Sequence, residues 1–276
     1  MAKVGGRRAR SGVLACVAVL AALAAAGCVG SSATPQVIYL TPPPGPATPL
    51  PSGFTPAPTV GLPTPVIDSV VVSSNAPDNR WTVIFKKPVV SGVSGASATA
   101  MNNAITSAVD GFIGVFTGSG LPAVASGDGP STFEGDFSIA LDSPTLVSLR
   151  FTIITFVTGA AHPVETPGSL NFVVSSGAKI NLTDLFTGPV AALSTLSSQA
   201  HAALSTSLGS DLTWAGSASS MTFFEKGWAI TPAGLEFTWA QGDIASEAAG
   251  MPSVTLAWSG IKSIILPSSP AGEFVK

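Results

Sequence analysis

The residues of this chain that have chemistry to offer are few: two histidines, a scatter of carboxylates, two cysteines and two serine–lysine spacings. His162-Pro-Val-Glu165 puts an imidazole three positions from a carboxylate. Such a pair suits general acid–base work, and it suits a polar contact with a partner equally well. The simpler reading is a ring that hydrogen-bonds loop backbone and fixes a turn. His201 falls on the polar side of a helical stripe and reads as a surface residue. Ser176-Gly-Ala-Lys179 and Ser259-Gly-Ile-Lys262 match S-x-x-K. Penicillin-binding chemistry needs that motif opening a helix, together with K-T-G, which the chain lacks. G-x-S-x-G is also missing, so the common nucleophile elbow is excluded. Glu134-Gly-Asp136 and Asp243 with Glu247 are the carboxylate pairs a glycosidase would use. Without sugar platforms beside them they read as solvated loop acids. A zinc site needs three ligands within reach, and no metal or cofactor is implied. Trp81, Trp214, Trp228, Trp239 and Trp258 lie on strands or loop edges, so core packing is their first expectation.

Composition narrows the classes further. Of 276 residues, 46% are hydrophobic and only 10% are charged, with a net charge of −3. No basic cluster follows the first ten residues, which excludes a nucleic-acid binder. Both cysteines, Cys16 and Cys28, sit in the first thirty positions, so no disulfide framework is expected.

Lys3, Arg7, Arg8 and Arg10 precede the apolar run Val13–Ala26. That run is short for a spanning helix, which needs about 20 residues, and it ends in small residues. Residues 1–27 therefore read as a signal peptide. The end, Ala25-Ala-Gly-Cys28, resembles the lipobox of bacterial lipoproteins. In that family the cysteine thiol carries a diacylglycerol and the chain is cut just before it. The resemblance implies a lipid on Cys28 and a place on the outer face of the cell membrane. Two acyl chains suffice for stable anchoring. Loss of residues 1–27 would leave eight basic against fifteen acidic residues, a net of −7. Residues 28–65 then form a tether: eleven of the 23 prolines lie between Pro35 and Pro65, with no charged residue among them. Extended polyproline geometry, at about 3.1 Å per residue, gives a reach on the order of 90 Å.

Residues 66–276 must position whatever chemistry exists. Val66–Ser73 and Trp81–Pro88 read as strands, the second ended by its proline. Ala98–Ile113 reads as a helix through Met101, Ile105, Ala108, Val109 and Phe112. Leu146–Thr158 reads as a strand covered on both faces. Leu170–Ser175 should pair with it as a hairpin. Pro189 opens a second helix with the stripe Leu193, Leu196, Ala200, Ala203, Leu204 and Leu208, and Gly209 ends it. Strands over Met221–Ile230, Leu235–Ala240 and Val254–Trp258 complete the chain, with a turn at Pro232-Ala-Gly234. This order implies a single α+β domain, a mostly antiparallel sheet packed with two main helices.

Three stretches carry a family resemblance. They are Thr158-Gly-Ala-Ala-His162-Pro163, then Asn171-Phe-Val-Val-Ser-Ser-Gly177-Ala-Lys179-Ile-Asn-Leu-Thr-Asp184-Leu-Phe186, then Gly227-Trp-Ala-Ile-Thr-Pro-Ala-Gly234-Leu-Glu-Phe237 with Ala248-Ala-Gly250. In this order they resemble the extracellular domain of the anti-sigma factor RsiV and secreted actinobacterial antigens that share it. Ala160 departs from the usual second glycine of the loop, and Gly242 lies near a common tyrosine. The resemblance spans Leu146 to Ile265 and implies an α+β fold that binds rather than catalyses. The RsiV domain recognises lysozyme, so a basic protein partner is implied, with His162 and Glu165 of the loop as candidate contacts. The signalling half of that family needs a membrane helix and a cytoplasmic segment, which this chain does not offer. Two functions follow: an anchored non-catalytic binding lipoprotein, and an envelope hydrolase or esterase with an unfamiliar site.

Overall fold

The computed structural model describes residues 63–125, 127–214 and 220–276. The expected signal peptide, Cys28 and nearly all of the Pro-rich tether lie outside them. Strand β1 (Val66–Asn75) and strand β2 (Trp81–Ser91) form an antiparallel hairpin. Asn79 takes φ 57° in the turn, a conformation that Asn tolerates better than most residues. Helix α1 (Gly95–Thr117) carries the chain across to strand β3 (Ser131–Asp142), which runs parallel to β2. Strands β4 (Leu146–Phe156), β5 (Val164–Val173) and β6 (Ala178–Lys179) follow antiparallel, so the six-stranded sheet has sequential order. The fold is thus mixed α+β, as the sequence implied, with one parallel pair inside a mostly antiparallel sheet.

Alternation along β4 divides the molecule into two cores. Val147, Leu149, Phe151 and Ile153 face α1, where Met101, Ile105, Val109, Phe112 and Phe116 complete the first core. The helix stripe is the one read from sequence, extended by Phe116. Gly135 makes this packing possible. A Cβ there would lie 2.1 Å from the ring of Phe85, which is fully buried between Phe112, Phe133 and Phe151. Ser94 caps α1 by accepting from the Ser97 N–H at 3.2 Å.

The other face of β4 carries Leu146, Ser148 and Arg150. Over it lie helix α2 (Pro189–Leu208), helix α3 (Met221–Glu225), and the antiparallel strands β7 (Trp228–Ile230), β8 (Gly234–Thr238) and β9 (Ser253–Ala257). Helix α4 (Trp258–Ile261) and a C-terminal 3-10 segment close this second core. Ala192, Leu196, Ala200 and Leu204 are the buried residues of α2. Ala203, expected in the stripe, is exposed, and Leu193 and Leu208 sit at the margin. Gly209 ends the helix at φ 56°, as its permissive backbone allows.

Several boundaries differ from the sequence reading. Strand β2 runs through Pro88. Its parallel pairing with β3 stops at Phe85, so the missing N–H of Pro88 costs no ladder bond. Two residues on, the Asn102 amide takes the place of a neighbouring strand, accepting from the Val90 N–H and donating to the Val90 carbonyl, both at 2.8 Å. Strand β5 begins at Val164, not Leu170, because its partner β4 supplies a continuous ladder from Thr155 to Leu146. Met221–Glu225 is helical, where a strand was expected. Phe223 and Phe224 both reach Trp239, at 5.5 and 5.9 Å between ring centroids, and adjacent strand residues would point to opposite faces. Strand β3 gave no clear signal in the sequence. The last three strands form a sheet of their own.

Candidate functional site

The loop after β4 holds His162, whose ring makes the backbone contact expected of it but not the pairing with Glu165. Its Nδ1 lies 2.9 Å from the Pro163 carbonyl, so the ring does fix its own turn. Its Nε2 pairs with Glu247 at 2.9 Å, not with Glu165. Gln241 ties the same region together. Its Oε1 accepts from the Glu165 N–H, its backbone N–H donates to the Glu165 carbonyl, and its Nε2 donates to the Glu247 carbonyl. The start of β5 is thereby clamped to the 241–250 loop, and Glu165 is held half-buried at the junction.

The Pro163 carbonyl, reinforced by the Glu247 carboxylate, holds the His162 pKa above its ordinary value of 6.5. A raised folded-state value favours the folded loop below about pH 6.5 and loses that contribution as pH rises through the raised value. The His162 ring should therefore titrate above 6.5 when followed by NMR. Glu247→Gln should move the midpoint down toward the ordinary value. An unchanged midpoint in that variant would place Glu247 outside the pair.

The remaining candidates are separated. Asp243, nearly buried, faces Lys226 at 3.5 Å, while Glu247 faces His162, so the two carboxylates serve different cations. Glu134 and Asp136 lie on strand β3, not in a loop, and both are exposed. Ser176 and Lys179 flank the β5–β6 turn, where the Gly177 N–H donates to Val173 and Ser176 Oγ accepts from Ala178. Ser259 lies in α4 and Lys262 just after it, so this match does open a short helix, contrary to the strand end expected. His201 is exposed and packs edge-on to Trp214, 5.5 Å away. Trp228, Trp239 and Trp258 are buried, and Trp258 donates to the Thr231 carbonyl at 3.0 Å. Among the described residues, no three His, Cys, Asp or Glu gather into a metal site, and no helix is long and apolar enough to cross a membrane.

Two groups were missed. Gln241 carries no chemical signal in sequence. Arg150 and Glu236 form an ion pair between β4 and β8, 86 positions apart. A lone arginine inside an apolar strand, and a lone glutamate in another, were the available signals.

Comparisons with known proteins agree with this architecture. Residues 183–259 match the family model described as "Protein of unknown function (DUF3298)". That segment runs from the turn before α2 into α4. It contains Glu236, Gln241 and Glu247, while their partners Arg150, Glu165 and His162 precede it. A crystal structure of a DUF3298 family member from Bacteroides fragilis is similar at 12% identity and a TM-score of 0.54, covering 77% of this chain and 98% of that one. A DUF3298 family protein from Pseudomonas aeruginosa is similar at 13% identity and a TM-score of 0.52, covering 74% and 95%. At such identities the likeness concerns the fold. No curated protein matches the sequence.

Proposed function

We propose that this protein is a lipid-anchored, non-catalytic binding module of the bacterial envelope, with an RsiV-like domain that recognises a basic protein of the lysozyme type. The observation that carries this reading is the state of His162. Both ring nitrogens are engaged, one by Pro163 and one by Glu247, so the imidazole has no free nitrogen to activate a serine or a water. A loop clamped by Gln241 instead presents a fixed surface, and loops on a rigid scaffold are where recognition usually sits. The net of −7 expected after signal removal favours encounter with a basic partner. Lipidation at Cys28 and the Pro-rich tether would hold the domain away from the membrane.

Calorimetry of residues 66–276 with lysozyme, at low and moderate salt, tests the partner. A complex weakened by salt and by Glu165→Ala is expected. No heat at low salt with a folded domain removes lysozyme as the ligand. Labelling by an active-serine probe, abolished by one Ser→Ala change, would establish a hydrolase instead. Cys28→Ser in the full chain should release the exported protein from membranes, and retention would overturn the anchor.

A further inference from the structure

A second candidate site lies away from the His162 loop, where the small sheet meets the large one. Ser138, Arg150, Thr152, Gly227, Glu236 and Ser253 line a cleft of about 220 Å³, and Trp228 and Met251 add apolar surface. The walls come from β3, β4, β5 and all three strands of the small sheet. The cleft exists because β7–β9 cover only the β4–β5 side of the outer sheet face. On the β1–β3 side Val71, Ile84, Glu134 and Asp136 remain exposed. Gly227 shapes one wall, since a Cβ there would lie 2.7 Å from both Pro167 and the Thr238 carbonyl.

The chemistry of the walls selects the ligand. Arg150 and Glu236 neutralise each other, so the cleft offers no net charge to a simple anion or cation. Each keeps capacity to spare. The guanidinium has five N–H donors; Nη1 serves Glu236, Nε is closed off from solvent, and the side chain as a whole is 36% exposed. The Glu236 carboxylate accepts at Oε1 and has further lone pairs. Ser138, Thr152, Thr238 and Ser253, each with a hydroxyl, line the same cleft. A wall of paired donors, acceptors and hydroxyls matches vicinal hydroxyl groups, each of which donates and accepts. The volume equals that of about seven waters in bulk, which a single pyranose ring would displace. Larger, mainly apolar ligand pockets have the opposite character.

We propose that this cleft binds one sugar ring, with the Arg150–Glu236 pair hydrogen-bonding adjacent hydroxyls. This site goes beyond the protein-recognition loop and stands or falls separately from it. The test is saturation-transfer NMR on the full chain in a sugar-free detergent, titrated with methyl α-glucoside and N-acetylglucosamine. Sodium acetate and glycine serve as anionic and zwitterionic controls. At least one sugar should bind saturably, and neither control should displace it. Glu236→Gln should raise Kd at least about tenfold, and Thr152→Val, at an exposed position that the fold does not depend on, should raise it by a few-fold. The proposal is overturned if neither sugar binds while circular dichroism shows a folded chain. It is also overturned if acetate or glycine displaces the bound sugar, or if the Kd is unchanged in Thr152→Val. The lysozyme titration is read independently, because its contacts lie on the other loop.

Discussion

Asn171→Ala is expected to destabilise the folded domain by about 3 kcal/mol or more. Asn171 is almost fully buried on β5, at the junction of the two sheets. Its Oδ1 accepts from Ser148 Oγ at 2.5 Å and from the Ile230 N–H at 3.3 Å, and its Nδ2 donates to the Trp228 carbonyl at 3.2 Å. Ser148 Oγ also accepts from the Ile230 N–H, and Ser169 Oγ accepts from the Trp228 N–H. These three side chains give β7 the hydrogen bonds that a neighbouring strand would otherwise supply. Alanine leaves two buried polar groups, the Ser148 hydroxyl and the Trp228 carbonyl, short of a partner at about 1–3 kcal/mol each, while the Ile230 N–H keeps Ser148 Oγ. For a domain of this size the melting temperature should fall by about 6–12 °C. Urea unfolding checks it through a lower midpoint at unchanged slope. A shift below about 1 kcal/mol would mean that water replaces the amide and that the sheet junction is open.

Leu204→Ala should cost about 2–5 kcal/mol, the range for a large aliphatic side chain removed from a closed core. Leu204 is 1% exposed on α2 and belongs to the core that includes Leu196, Leu235, Phe237 and Ile261. The neighbouring Ala203 is exposed, so Ala203→Ser should change stability by no more than about 0.5 kcal/mol. The contrast fixes the rotation of the helix about its axis. Equal effects at the two positions would show that the buried stripe runs elsewhere.

What the sequence determined by itself is local. The spacing of Met101, Ile105, Val109 and Phe112 is the buried face of α1, and Leu196, Ala200 and Leu204 are the buried face of α2. Leu146–Phe156 is covered by a helix on its apolar face, Val147 to Ile153, and in part by the small sheet on the mixed face that carries Ser148 and Arg150. The turn at Thr231–Gly234 follows from its residue types, with Thr231 Oγ1 bridging it. Each of these is a short-range periodicity or a turn preference, and burial of one face is enough to enforce it.

The tertiary structure decided the rest. Strand β3 alternates Phe133, Gly135 and Phe137 with Glu134, Asp136 and Ser138, and its inward glycine makes room for a ring from β2. With a glycine at an inward position, its alternation carries little apolar signal. Strand β7 has three residues, too few for any periodicity, and its place is set by Ser148, Ser169 and Asn171 on other strands. His162 meets Glu247, and Arg150 meets Glu236, only because the register of β4 with β5 and the docking of β7 bring distant segments together. Residue type announces that a charged side chain needs a partner. Which partner it finds depends on how the sheets pack, because the attraction is short-ranged in water and selects among neighbours that burial has already chosen.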